Sequence, residues 1–293
     1  MRVNPNSMPD ILAALERNQQ QRQTATLQLA SGLRINTPSD DPAGSAVLVQ
    51  IHDRGTQANS FLRSIGTITG QLQMADSTLN SVVLTLTRAI ALGVEGATGT
   101  LSDANRLALA DEVSGVRDQL LSLANISYEG RYVFAGTTNV QPFVADPTVP
   151  AGVRYDGNAG TNSVAIGNGY RVQVNLPGDQ MFTATGHNMF QAITDLITAL
   201  QSNSGIATAV AAVRDGFDYV TSRRVFYGNV LNQLEGQQNF LANEKLQLAQ
   251  QENTVAAADI TAVASQLVNA ENARAAGLAA VGKMSQGSLF DYI

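Results

Sequence analysis

The sequence predicts a mainly α-helical chain. Its N- and C-terminal segments form a long antiparallel, coiled-coil-like helical bundle that carries an inserted small β-rich domain. Three observations predict this. Val47, Ile51, Arg54, Ala58, Phe61, Ile65, Ile68, Leu72, Ala75, Leu79, Val82, Leu86, Ala89 and Gly93 recur at alternating spacings of four and three, and all but Arg54 and Gly93 are apolar. That is the seam of a helix lying against other helices. A helical pattern returns after residue 206, while residues 137–186 are rich in Gly, Asn, Thr and Pro with short alternating runs. A helix over 43–93 alone would extend about 75 Å at 1.5 Å per residue, so the sequence predicts an elongated chain suited to building assemblies.

Residues 8–33 read as a first helix, with Ile11, Leu12, Leu15, Leu27, Leu29 and Leu33 apolar and Gln19-Gln20-Gln21-Arg22-Gln23 at its centre. So polar a helix needs a partner to be stable. Gly32 marks its end. Pro38 then forbids easy continuation, Asp41 is placed to cap the next helix, and Pro42 takes that helix's first position. The long helix runs to about Val94, and Glu95–Thr100 forms a turn. Ser102 or Asp103 caps a further helix to about Asn125, in which Leu109, Val113, Val116, Leu120 and Leu123 repeat the spacing, so the two helices can fold into a hairpin.

The character changes at residue 130. Arg131–Ala135, Val153–Asp156, Ser163–Ile166 and Tyr170–Asn175 read as strands, with Asp156-Gly157 and Gly167-Asn168-Gly169 as turns. A helix follows at about 188–201. Beyond 206, Tyr227, Leu231, Leu234, Gln238, Leu241, Lys245 and Leu248 keep one register, and Ile260, Val263, Leu267, Ala270, Arg274, Gly277 and Val281 keep another. The slip near 255 marks a change of packing partner. The first and last segments are expected to lie side by side.

Composition narrows the function classes. Only 14% of residues are charged and 5% aromatic, against about 25% charged in typical domains. A polar but weakly charged surface packs against copies of itself with little charge to desolvate. The net charge of −6, with 18 scattered basic residues, points away from nucleic acid. The absence of Cys excludes disulfides, thiol nucleophiles and thiolate metal sites. No apolar run approaches the roughly 20 residues of a membrane span, and the opening Met1–Ser7 has no apolar h-region, so a general secretory signal peptide is not expected. His52 and His187 are the only histidines and sit in no catalytic frame. His52 falls outside the seam and reads as a solvated helix face. Asp40-Asp41 lacks further oxygen ligands for a cation. No catalytic residue, cofactor or metal is expected. Asn125-Ile126-Ser127 matches the glycosylation sequon.

Leu29-Ala30-Ser31-Gly32-Leu33-Arg34-Ile35-Asn36, with Ser39-Asp40-Asp41-Pro42-Ala43-Gly44, closely resembles the N-terminal signature of bacterial flagellins. Ala258-Asp259-Ile260 and Ala262-Val263-Ala264 resemble their C-terminal segment. Within that superfamily the chain resembles the hook-filament junction branch. Met1-Arg2-Val3, Gly130–Thr137 followed by Gln141-Pro142-Phe143, and Gly287–Ile293 carry that resemblance. Flagellin itself remains an alternative, as does an enzyme or carbohydrate-binding module housed in the central insert.

The resemblance implies a non-enzymatic structural subunit, secreted through the flagellar type III apparatus and located outside the cell at the hook-filament junction. It implies inner-layer assembly helices at 1–42 and 256–293, rod segments at 43–136 and 206–255, and an outer insert at 137–205. Leu29, Leu33, Arg34, Ile35, Asn36, Asp40, Asp41 and Ala43 would form the N-terminal assembly interface, with Arg34 paired to Asp40 or Asp41. Ile260, Val263, Leu267, Val281, Leu289 and Phe290 would form the C-terminal one. Val47, Ile51, Phe61, Ile65, Ile68, Leu72, Leu79, Val82 and Leu86 would form the rod seam. The implied partners are copies of itself in a ring, the first hook-associated protein on the hook side, and flagellin on the filament side. An export chaperone would hold about 255–285 before secretion. Neither nucleic acid nor membrane is implied. Arg88 and Leu92 fall where flagellins carry a surface read by an animal innate receptor, and Ile90 departs from that pattern.

Overall fold

The structure, a computed structural model, describes residues 8–286. The expectations for Met1-Arg2-Val3, Leu289 and Phe290 lie outside the described residues. Seven helices occur among them: α1 (Met8–Ser31), α2 (Pro42–Gly96), α3 (Asp103–Ala124), α4 (Gly178–Phe182), α5 (Met189–Ser202), α6 (Ile206–Ala256) and α7 (Ile260–Gln286). The strands are β1 (Ser127–Tyr128), β2 (Arg131–Tyr132), β3 (Phe143–Ala145), β4 (Val153–Tyr155), β5 (Ser163–Gly167), β6 (Tyr170–Gln173), β7 (Thr183–Ala184) and β8 (His187–Asn188). The chain is mainly α, with a small β region of two-stranded antiparallel ribbons, β1–β2, β3–β4, β5–β6 and β7–β8.

The chain divides into two compact units, Met1–Gln57 with Asn243–Ile293, and Ala58–Ala242. In the first, α1 packs along α7. The two run antiparallel, since Leu33 bridges to Ala257 while Leu15 lies beside Gly277. Little is sealed between them. Ala25, Val263 and Ala270 are the hydrophobic residues of α1 and α7 that are fully buried, among the described residues. Five larger ones stay open: Leu12 (51% exposed), Leu27 (49%), Ile260 (48%), Val268 (55%) and Leu278 (53%).

The second unit has a continuous apolar core. Ile65, Ile68, Leu72, Leu79, Val82 and Leu86 of α2 meet Val113 and Leu120 of α3, Ile193 and Leu196 of α5, and Val220, Tyr227 and Leu234 of α6. Phe143, Ile166, Phe182 and Phe190 join that same cluster. The 137–205 segment therefore shares its core with the helices. Phe143 is the hub of its aromatic contacts, 5.0 Å from Tyr155, 5.3 Å from Phe182 and 5.4 Å from Phe190 between ring centres. Gly93 explains its place on the α2 seam. A Cβ there would meet Val210 Cγ2 at 2.5 Å and Leu196 Cδ1 at 3.0 Å, so only glycine lets α5 and α6 approach this closely.

Three expectations need correction. Arg131–Ala135 is not one strand. Only Arg131 and Tyr132 pair, with β1, because the next backbone groups are taken elsewhere. Val133 N donates to Ile126 O (3.0 Å), and Phe134 O accepts from Gly178 N (2.8 Å) and the Tyr155 hydroxyl (3.1 Å). Val133, Phe134 and Ala135 are buried as a result. The expected absence of any membrane-length apolar stretch also fails. α2 contains one by length and composition, and 44% of it is buried within the fold, as befits a core helix. Val47, placed on the seam by its spacing, is 43% exposed. It lines an open groove with Ile51, Gln247, Gln250, Thr254 and Val255, where amide side chains flank it instead of a third apolar helix.

Tyr227 is buried to 1% exposure and its hydroxyl has no hydrogen-bond partner, although the Leu176 backbone lies nearby. Burial pushes its ionisation well above the usual tyrosine range. An unpaired buried hydroxyl costs about 1–3 kcal/mol. Tyr227→Phe is therefore expected to leave thermal stability unchanged or raised. A clear fall in the calorimetric midpoint would show that the hydroxyl is paired in solution.

Candidate functional site

Two interruptions of helix meet in the first unit. α1 stops at Ser31 because Gly32 adopts φ +71°, a left-handed conformation suited to glycine at a helix end. α6 stops at Ala256, and three residues separate it from the start of α7 at Ile260. Each break leaves backbone groups that no helix satisfies. They satisfy one another. Arg34 N donates to Ala256 O (2.6 Å), and Ala258 N donates to Gly32 O (3.0 Å), forming the Leu33–Ala257 bridge.

Arg34 extends the connection. Its Nη2 donates to Val255 O in the last turn of α6 (2.9 Å) and pairs with Asp41 Oδ2 (3.1 Å). A cation is favoured at a helix C-terminus, where carbonyl dipoles converge. Asp41 in turn caps α2: its Oδ1 accepts from Gly44 N (2.9 Å), with Pro42 at the first helical position. One side chain thereby links the end of α6 to the start of α2. Asp40 Oδ2 accepts from Asn36 N (2.9 Å) and Thr37 N (2.8 Å), ordering the turn between. Asp259 caps α7 similarly, its Oδ1 accepting from Thr261 N and Ala262 N (both 3.0 Å).

The electrostatics follow. Hydrogen bonds from the Thr37 and Asn36 backbones hold the Asp40 carboxyl below the usual carboxylate range. The Gly44 backbone, and after it Arg34, do the same for Asp41. Ile35, buried to 6%, is the apolar plug beneath this turn. A Cβ on Gly44 would sit 2.5 Å from Ile35 Cδ1, so glycine is what lets α2 start against the plug.

The structure gathers Leu33, Arg34, Ile35, Asn36, Asp40 and Asp41 at this junction of breaks. Leu33 is 40% exposed and Ala43 is exposed, while Leu29 is half-buried on α1. On α7, Val263 is buried, Leu267 and Val281 are half-buried, and Ile260 is exposed. Along α2, Ile51, Ile65, Ile68, Leu72, Leu79, Val82 and Leu86 are buried and Phe61 is half-buried. Sequence reasoning missed Val255, Ala256 and Gly44. The register slip near 255 and the glycine three residues after Asp41 were the available signals.

Other candidates are occupied by structural duties. Leu92 is 2% exposed, and Arg88 pairs with Glu112, so the receptor-like positions do not form an open apolar surface. Asn125 bonds both backbone groups of Phe143, donating from Nδ2 to its carbonyl (2.8 Å) and accepting its N–H at Oδ1 (2.9 Å), which engages the sequon amide. His52 pairs with Glu252 (2.9 Å); His187 pairs with Asp215 (2.6 Å) and stacks on Tyr219. No cluster of three or more His, Asp or Glu suited to a metal occurs among the described residues.

The bacterial flagellin N-terminal helical region matches residues 4–139. The chain is 27% identical over 290 residues to flagellar hook-associated protein 3 of Escherichia coli K12, covering 90% of each. It is 35% identical over 118 residues to flagellar hook-associated protein 3 of Salmonella typhimurium, 40% of this chain and 37% of that one. The flagellar junction protein of Legionella pneumophila shares the fold, with a TM-score of 0.62 at 15% identity over 72% of this chain and 100% of that chain. The family match spans a little under half of this chain, and the similarity to flagellar hook-associated protein 3 extends along most of it.

Both turn carboxyls are held below their unfolded value, so the order they impose is present above about pH 3.9 and is lost as pH falls through their lower folded values. Amide protection at Asn36, Thr37 and Gly44, corrected for intrinsic exchange, is expected to fall on acidification below that point. Asp40→Asn should remove most of the pH dependence at Asn36 and Thr37 while sparing Gly44. Equal behaviour in wild type and variant would mean that the carboxylate does not order the turn.

Proposed function

We propose that this protein forms the ring of subunits joining the flagellar hook to the filament, with no catalytic role. Subunits leave the cell through the flagellar type III apparatus after an export chaperone releases the C-terminal amphipathic segment at about 255–285. Outside, residues 1–42 and 256–293 form the inner layer of the tube. Residues 43–136 and 206–255 form the next layer, and 137–205 faces outward. The hook side meets the first hook-associated protein and the filament side meets flagellin. The assembly interfaces are those of Leu29, Leu33–Asn36, Asp40, Asp41 and Ala43, and of Ile260, Val263, Leu267, Val281, Leu289 and Phe290.

One observation carries this reading. The α1–α7 pair buries few of its own large side chains and leaves Leu12, Leu27, Ile260, Val268 and Leu278 about half exposed. A monomer gains nothing from apolar side chains held in water at about 25 cal/mol per Å2, whereas a tube of copies covers them. Similarity to hook-associated protein 3 along 90% of the chain favours the junction over the filament proper.

Deletion of the coding sequence is expected to leave hooks intact, with flagellin released into the medium. Attached filaments of normal length in the deletion strain would refute the junction role. Leu278→Asp, on the exposed face of α7, should permit export and folding but abolish complementation. Restored filaments with that variant would show that the face is not an assembly surface.

A further inference from the structure

The α1–α7 pair has two unlike sides. On one, a groove runs between the helices. Ala14, Leu15, Ala273 and Gly277 line its apolar half, and Thr24 and Asn269 lie in its polar half. On the other side, Ile260, Val268, Glu271 and Arg274 are exposed. At about 3.6 residues per turn these four share a face of α7 roughly opposite Asn269 and Ala273. Two charges line the groove, Asp10 and Arg17. Arg17 Nε donates to Ala13 O (3.2 Å), which folds its guanidinium back by one turn. The acid and base of the groove therefore stand about three residues apart along α1, the spacing of Glu271 and Arg274 on α7. None of these four charges belongs to an ion pair among the described residues.

We propose that this groove receives the Ile260–Arg274 face of α7 from a second copy of the chain. The inference rests on the reading that the terminal helices join copies, and it names which surface meets which. Charge order sets the direction. Along the groove from Asp10 the order is acid, then base; along the face from Arg274 toward Ile260 it is base, then acid. Opposite charges meet when the incoming α7 runs parallel to the resident one, and like charges meet when it is reversed. The same pairs set the axial position. Leu15 lies beside Gly277, so Asp10 is level with about residue 282 of the antiparallel α7. Bringing Arg274 of the second copy to Asp10, and its Glu271 to Arg17, shifts the incoming helix by about eight residues, or about 12 Å. That shift lays Val268 over the small side chains of Ala14, Ala273 and Gly277, where a long aliphatic group has room. It brings Ile260 level with Thr24. Since the groove and the face are different surfaces, the contact is head-to-tail and can repeat from copy to copy.

The chain has no Cys, so introduced cysteines report without background. Ala14→Cys and Val268→Cys are made in separate full-length copies, co-expressed in the deletion strain, and the isolated flagella are oxidised. A cross-linked dimer is expected several-fold above that from either variant alone. Ala14→Cys with Leu278→Cys, which the shift carries past the apolar half of the groove, should give no more than the single variants. Arg17→Glu and Glu271→Arg are each expected to lower the protein's content in flagella several-fold, and the double variant to restore it. Should a cysteine variant fail to enter flagella, the charge swap decides alone. Protein present in flagella with its dimer formed through Leu278 instead, or with no rescue by the swap, would overturn the groove contact and leave the assembly reading standing. Absence of the wild-type protein from isolated flagella would overturn both.

Discussion

The hydrogen bonds between the two helix breaks are the constraint on which the terminal unit depends. A helix that ends must find partners for its last carbonyls and for the first N–H groups of its successor. Here the break after α1 supplies them to the break after α6, through Arg34 N to Ala256 O and Ala258 N to Gly32 O. Joining residues more than two hundred positions apart carries an entropic cost that grows only slowly with loop length. The intervening chain folds as a unit of its own, which reduces that cost further. Arg34 then fastens the start of α2 to the end of α6, so both ends of the polypeptide are registered by one residue and two caps.

That arrangement separates two duties. The second unit satisfies itself: Leu79, Val82, Val113 and Leu120 are fully buried, and aromatic rings from the hairpin region seal the same core. The terminal pair is left with a seam in which Asn18, Ala25, Ala270 and Gly277 take positions where long apolar side chains would give a self-sufficient coil. Leu12, Leu27, Ile260, Val268 and Leu278 stay about half exposed. On the function proposed above, this asymmetry is what leaves the terminal pair with a surface to offer a neighbour.

The helices were legible because alternating spacings of four and three report a buried stripe directly. Ser102, Asn125 and Asp41 stand at element ends for reasons any cap follows. The slip near 255 proved to be a complete break, with Asp259 restarting the helix. The hairpin region was less legible. Its short strands pair two by two, and asparagine side chains tie the ribbons and loops to one another, bonds that leave no periodicity. Phe143 pairs with Tyr155 in β4, while both of its own backbone groups bond the side chain of Asn125, eighteen positions earlier, a link that no local pattern reports. Which apolar side chains stay open was also beyond the pattern: spacing places Val47 on the seam, and only the neighbouring amides of α6 show that it lacks cover.

The four ribbons each close their own ladder and share none with the next. In a continuous sheet, lengthening one turn disturbs every neighbouring strand. Here an added stretch of loop at β3–β4 or β5–β6 would strain only its own pair, while the aromatic cluster beneath keeps its shape. Such modular surface parts tolerate insertion and divergence at small cost. Descendants of this chain could therefore change the face they show to their surroundings without renegotiating how the subunits are built.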